Sequence, residues 1–420
     1  MKRNIIICPG PEYLFWSSGV YYCVELSKKY NIILVADQFF KNYFKIEKLK
    51  CAGVIKEYYP YPLIRPRVFG LNKLIYRHLH FSKLSKSLLS KEIILIIQHT
   101  DLEAANIYLY KEGTLLGIPG IMYRATTIPE KYYQDYKFIK NWIISTQKIA
   151  VISLNIANYV YNLNFFFRYL INYFFIPFIL TGNIFKPRIK IFPSELKYFN
   201  SNKPYYSWAI IHTEIEADIV KKNGEPSVLV ENPISTSLTT VAKILGWESH
   251  NDEEKNILLL PTSGEYDWYL SGNKFGGEGY IQAWIEVLRE LRDRFPAHKL
   301  ILKCHPMAND FNIYKNILAE SGFKQIEIIE NSYPVEELIL KSEIIIGTTT
   351  SALWWASQIE SKKLIISLDL FGLNGGDRYR ERLGIIYINN IEIIPNLSEF
   401  FGKITRDRYM SLTDFIEKIL

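Results

Sequence analysis

Cysteine is scarce in this chain of 420 residues: only Cys8, Cys23, Cys51 and Cys304 occur, with no CxxC spacing among them. No secretory leader is evident, because Met1 to Arg3 run straight into a strand-like segment, so the expected setting is a reducing cytoplasm. Histidine is thin as well. Seven residues are scattered along the chain, and the one close pair, His78 and His80, has no companion ligands nearby, so no bound metal is expected. A dominant charge sign is missing too: 50 Lys and Arg against 43 Asp and Glu leave +7 with both signs interspersed. That is too modest to point to nucleic acid, though it suits an anionic ligand or an anionic membrane surface. There is no Walker or dinucleotide glycine fingerprint. There is no clean apolar run of membrane-spanning length either; about 20 residues would be needed.

The nearest approach to such a run is 149–185, where Arg168 is the only charge but Asn155, Asn158, Asn162, Asn164, Asn172 and Pro177 interrupt it. Two readings fit this aromatic insertion better than a full span. One is a buried helix pair. The other is an interfacial element lying on a bilayer, helped by Lys137, Lys140, Lys148, Lys186, Arg188 and Lys190 on its flanks.

What is present is a globular composition, 48% hydrophobic and 22% charged, with 30 Tyr and 24 Phe, at a length that favours two domains. The chain opens with NIIIC, a Pro9-Gly10-Pro11 turn, a helical pattern over 17–30 and a second strand, NIILVA. The crossover has the length that parallel pairing requires. Further strands are expected at 52–57, 93–98, 118–123, 208–211 and 227–230, with a helix over 213–223. A polar stretch at 248–255 reads as a connection, and NILLLP then begins a second round with strands near Leu300, Ile326, Ile344 and Leu364. The expected fold is α/β: two Rossmann-like, doubly wound parallel-sheet domains with a central cleft. The boundaries read as 1–247 for the acceptor-side domain, which carries the insertion at about 149–185, then 256–407 for a nucleotide-sugar-binding domain, and a C-terminal helix at 408–420 able to return to either.

Chemistry concentrates in 300–368. The strand-like LILK empties into Cys304-His305-Pro306, and EIIIG empties into Thr348-Thr349-Thr350-Ser351. Ligands of open α/β sheets sit beyond the carboxyl ends of strands, so these two tips are expected side by side around one phosphate. An ordinary N-cap needs one hydroxyl, and here four occur in a row. A lone His305 would suit a structural role, but its pairing with the hydroxyl cluster favours a ligand role. Gly276, Gly277 and Glu278 fall in a glycine-rich loop ahead of an amphipathic helix expected over 280–294, where backbone can approach a ligand. Arg378, with Arg380 and Arg382, follows a second such loop at 371–377. Both loops also read as plain surface. For a catalytic base the candidate is Asp101, just beyond the strand IILIIQ, with Glu103 and Glu12 as rivals. Asp101 is equally natural as a helix N-cap.

The pairing of LKCHP with GTTTSALWWA, inside the second of two α/β domains, resembles bacterial glycosyltransferases of the two-Rossmann-domain (GT-B) fold. It looks most like the sialyltransferase and polysialyltransferase group that uses CMP-sugars, with related capsule and teichoic-acid polymerases. The resemblance covers about 256–388. It implies that His305 and Pro306, together with Thr349, Thr350 and Ser351, hold the nucleotide phosphate, and that an acidic residue of the first domain is the base. The family's carboxylate usually sits beside a glycine, which His99-Thr100-Asp101-Leu102 lacks. The implied activity is metal-independent, inverting transfer from a nucleotide sugar, CMP-sialic-acid-like, to a bacterial surface glycan or glycolipid acceptor. No cofactor is implied, and the enzyme would be cytoplasmic, with peripheral contact to the inner membrane. A CDP-polyol phosphotransferase of capsule or teichoic-acid type, a sugar-nucleotide epimerase and a non-catalytic membrane-surface scaffold are the alternatives.

Overall fold

The computed structural model of the protein describes residues 2–9, 12, 15–37, 43–61, 83–98, 109, 113, 116–123, 208–212, 217, 227–247, 255–261, 277–304, 315, 318–323, 326–329, 333–347, 350–359, 363–368, 384–388 and 409–420. It divides into two compact units, Met1–Leu245 with Tyr409–Leu420, and Gly246–Arg408. Each is a twisted parallel sheet with helices packed on it, the Rossmann-like α/β architecture expected from the alternation of apolar runs and helical patterns.

Among the described residues unit 1 has seven strands, β1 (Asn4–Cys8), β2 (Asn31–Asp37), β3 (Glu57–Tyr61), β4 (Ile93–Gln98), β5 (Gly120–Tyr123), β6 (Trp208–Ile211) and β7 (Ser227–Leu229), in the order 3-2-1-4-5-6-7. The central strands are continuous apolar runs because both faces are covered; Ile5, Ile6, Ile7, Leu95, Ile96 and Ile97 are all fully buried. After β1 a short π-helical stretch, Phe15–Gly19, leads into α1 (Val20–Ser27). A side chain at Gly19 would meet the Tyr123 hydroxyl at 2.8 Å, so glycine is what lets this segment lie against the sheet. Among the helices that follow are α2 (Tyr43–Cys51) and α3 (Pro233–Leu245), and Gly246, at φ +75°, ends α3 with the left-handed residue that helix termini favour.

The strand expected over 52–57 lies elsewhere. Residues 52–56 form the turn that follows α2, with Gly53 at φ +73°, and pairing begins at Glu57. The strand EYYPY contains Pro60, which has no N–H to donate. It is tolerated because, among the described residues, β3 is an edge strand bonded to β2 alone.

Among the described residues unit 2 has six parallel strands, β8 (Asn256–Leu260), β9 (Lys299–Lys303), β10 (Ile326–Ile329), β11 (Ile344–Gly347), β12 (Leu364–Leu368) and β13 (Ile386–Ile388), in the order 10-9-8-11-12-13. Helix α4 (Gly277–Arg294) covers one face, burying Trp284, Leu288 and Leu291 at helical spacing against Leu259, Leu302 and Ile346. Each such side chain is worth about 1.5–3 kcal/mol of burial. The helix begins three residues before the expected 280, so Gly277 and Glu278 lie in its first turn rather than in a loop. The other face carries α5 (Val335–Lys341) and α6 (Ser351–Ser357).

The last helix, α7 (Leu412–Ile419), belongs to unit 1. Phe415 meets Trp208 edge-on at 5.9 Å, and the Glu231 N–H donates to the Met410 carbonyl at 2.9 Å. The buried Glu25 carboxylate accepts from Thr413 at 3.2 Å, Thr236 at 3.1 Å and Lys28 at 2.6 Å, tying α1 to α3 and α7. The aromatic insertion at 149–185 lies outside the described residues. Among those described, no helix is long and apolar enough to cross a membrane.

Candidate functional site

In a doubly wound sheet the crevice for a ligand opens where successive crossovers turn in opposite directions. In unit 2 that point lies between β8 and β11, because the chain leaves β8 toward β9 and β10 and then returns to β11 on the other side. Leu260 and Gly347 are partners in register there. Along the carboxyl edge Leu260, Gly347 and Ser367 fall in one row across β8, β11 and β12, and Lys303 ends β9 one residue beyond Leu302, the partner of Leu259. The strands carrying His305 and the hydroxyl cluster therefore end at the same edge of one sheet. They are not adjacent, however: β8 stands between them, so at about 4.8 Å per strand the two tips are roughly 10 Å apart.

The β11 tip is closely built. A side chain at Gly347 would lie 2.9 Å from Thr350 Cγ2, 3.1 Å from the Leu260 carbonyl oxygen and 3.2 Å from Leu260 Cβ. Glycine thus lets the turn into α6 fold down onto the end of β8. The Ala352 N–H donates to Thr350 Oγ1 at 3.3 Å, which caps α6. Thr350 is therefore accounted for by capping. Ser351 begins the helix, and Thr348 and Thr349 lie outside the described residues, as do His305, Pro306, Gly276 and Arg378.

A residue the motif reading passed over lies two positions before His305 in the chain. Lys303, the last residue of β9, is buried with its ammonium donating to the Cys304 carbonyl at 3.0 Å. Burial lowers its pKa to about 8, with the Cys304 and Glu336 charges opposing the shift, so it remains mostly protonated at neutral pH. Its signal was present in LILK, where a lysine follows an apolar run directly before the His-Pro pair. His298, by contrast, precedes β9 and pairs with Glu343 at 3.3 Å, which precedes β11. Both are at the opposite, amino edge of the sheet.

Unit 1 has its own switch point, between β1 and β4. Glu12 follows β1 and Asp101 follows β4, so two carboxylate candidates leave adjacent strands. Glu12 is half-buried and accepts from Trp16 Nε1 at 3.1 Å. Asp101 and Glu103 lie outside the described residues. Among the described residues no cluster of three or more His, Cys, Asp or Glu is placed to hold a metal.

Two groups here were invisible to the motif reading. His212, just past β6, is buried; its Nδ1–H donates to the Val230 carbonyl at 3.1 Å, leaving Nε2 to accept from the Tyr22 hydroxyl at 2.6 Å. Burial pushes its pKa down to about 4, with the Val230 contact opposing. The ring of Tyr22 in turn packs on Tyr123 at 4.3 Å. The other is Gln98, the final residue of β4, which shares the opposite face of the sheet with Cys8 and Met122.

No family model matches the sequence, and no curated protein matches it. Solved structures do. The UDP-GlcNAc 2-epimerase from Neisseria meningitidis bound to UDP-GlcNAc superposes over 100% of this chain and 98% of its own, with a TM-score of 0.56 at 14% identity. A UDP-N-acetylglucosamine 2-epimerase gives 0.55 at 12% identity, over 95% of this chain and 90% of that one. The S. aureus MnaA-UDP co-structure gives 0.53 at 11% identity, over 100% and 95%. At these identities the likeness is one of fold, and the fold is the GT-B-like pair of Rossmann units. None of the three is a sialyltransferase or a capsule polymerase.

Proposed function

We propose that this protein is an enzyme acting on a nucleotide-activated sugar, with the nucleotide phosphate held at the β8/β11 switch point of unit 2 and with metal-independent, inverting glycosyl transfer as the reaction. The observation that carries this is the tip row of unit 2, in which a buried ammonium (Lys303), a glycine that admits close backbone approach (Gly347) and the strand ends bearing His305 and Thr348 to Ser351 share one sheet edge. A span of roughly 10 Å between the outer tips suits a ligand that extends from phosphate to sugar or base rather than a bare anion. In the transfer, a first-unit carboxylate, with Asp101 as first candidate and Glu12 and Glu103 as rivals, takes the acceptor hydroxyl proton. The acceptor oxygen then attacks the anomeric carbon, and the bond to phosphate breaks with its electron pair leaving on the nucleotide. His305, the hydroxyl cluster and Lys303 stabilise that departing charge. One such contact is typically worth about 2.7–4 kcal/mol in the transition state.

Sugar-nucleotide epimerisation is a second reading, favoured by the fold neighbours at TM-scores of 0.56 and 0.55, which are UDP-GlcNAc 2-epimerases. The two readings also differ in nucleotide. The His-Pro and hydroxyl motifs favour a CMP-sialic-acid-like donor for a surface glycan, and the neighbours favour UDP-GlcNAc. The test is a thermal-shift panel of CMP, CDP, UDP, GDP and their sugars, followed by product analysis with the sugar nucleotide that binds. A ligand at about 100 times its dissociation constant stabilises by about 2.7 kcal/mol. Transferred sugar supports the first reading, and an isomerised nucleotide sugar the second. Transferred phosphate would instead mean a polyol phosphotransferase. Absence of any saturable nucleotide binding, with binding to liposomes, would leave the membrane-surface scaffold.

A further inference from the structure

Among the described residues Gln98 is anomalous. Its side chain is 0% exposed, yet neither Oε1 nor Nε2 has a hydrogen-bond partner. Buried carboxamides are nearly always satisfied, and an unmade pair in a dry interior is a steady loss of stability that an apolar side chain of the same shape would remove. The residue's place is equally specific. It ends β4, the first strand on the far side of the unit 1 switch point, and in register it lies between Cys8, which ends β1, and Met122 of β5. Those flanking side chains are a thiol and a thioether, so the row itself provides no strong partner for an amide. Gln98 stands at one of the two strand tips, those of β1 and β4, between which the topology of the sheet directs a ligand.

We infer that Gln98 is a specificity-determining residue of a sugar subsite at the β1/β4 switch point of unit 1, where its amide donates to one hydroxyl and accepts from another on a neutral pyranose. A primary amide offers one acceptor oxygen and a donor pair on a rigid plane, a match for adjacent hydroxyls, each of which both donates and accepts. Its lack of charge argues against phosphate or carboxylate as the occupant. Because the amide is enclosed, entry requires the groups covering it to move apart. A ligand that cannot fill both of its positions leaves it unpaired, which is how a buried polar group discriminates strongly between similar molecules. The choice of a sugar as occupant rests on the nucleotide-sugar reading above; the unsatisfied amide does not.

The test compares the full-length wild type with Gln98→Met, an apolar side chain of similar length. Three measurements are made: melting temperature, binding of the methyl glycosides of glucose, galactose and N-acetylglucosamine by saturation-transfer NMR, and binding of the nucleotide selected by the thermal-shift panel. The inference expects the variant to melt about 2–4 °C higher. It also expects the variant to bind the preferred glycoside at least tenfold more weakly and the nucleotide with unchanged affinity. A variant that melts lower would show that the amide is needed by the fold and would overturn the inference. So would a more stable variant with undiminished glycoside binding, or a wild type that binds none of the glycosides at millimolar concentration. If the wild type binds glycosides through Gln98 but binds no nucleotide, the nucleotide-sugar reading fails and the subsite stands.

Discussion

Acidification should destabilise unit 1 through His212, and the size of the effect follows from its surroundings. The imidazole is buried, its Nδ1–H is committed to Val230 and its Nε2 accepts from Tyr22, so protonation would place an unsolvated charge where an acceptor is required. The folded pKa is near 4 and the ordinary value 6.5. Between those values the unfolded chain binds a proton that the folded chain refuses. The stability from the neutral ring is therefore complete above pH 6.5, erodes as pH falls and is gone below about 4. A gap of about 2.5 pH units at about 1.36 kcal/mol each bounds the loss at about 3 kcal/mol. Urea unfolding of the wild type and of His212→Gln, followed by circular dichroism from pH 7 to pH 4, isolates this contribution, because other titrating groups cancel in the difference. The stability advantage of the wild type should shrink by up to about 3 kcal/mol over that range. A difference that stays flat, or that grows on acidification, would refute the assignment of a buried neutral imidazole.

Gly347→Ala should cost about 1–3 kcal/mol of unit 2 stability and weaken nucleotide binding, since the new methyl group would press on Thr350 Cγ2 at 2.9 Å and on the Leu260 carbonyl at 3.1 Å; melting curves with and without nucleotide read both effects. Glu25→Ala leaves Thr413 and Thr236 without their shared acceptor and should release α7 from α1, seen as faster hydrogen exchange over 412–419 with a stability loss of about 2–3 kcal/mol.

Much of the fold could be read in advance because parallel strands covered on both faces are written as unbroken apolar runs. NIIIC, IILIIQ, NILLL and LIISL are all strands, and each is flanked by turn-forming or polar residues. The reading failed where that rule does not apply. EYYPY is polar and contains a proline because it is an edge strand, and a sheet edge imposes neither full burial nor a complete ladder. Helix α4 starts earlier than its sequence suggests because Gly277 and Gly279 are poor helix formers, whereas packing of Trp284 and Leu288 extends the helix over them. At the site, residue types next to strand ends were legible but strand order was not. Sequence adjacency of motif and strand gives no warning that β8 lies between the two tips. His212 and Gln98 were missed because a single polar residue at the end of an apolar run has no periodic signal. Only register and burial distinguish Gln98 from a surface glutamine.

The most direct measurement of the central claim is hydrogen–deuterium exchange on the full-length protein, with and without the nucleotide sugar that the thermal-shift panel selects. Binding at the carboxyl edge of unit 2 predicts protection confined in that unit to 259–261, 301–306 and 347–353, and protection at the last two stretches should be lost together in His305→Ala. Protection at the opposite edge, around His298 and Glu343, or none in unit 2 at all, would contradict it.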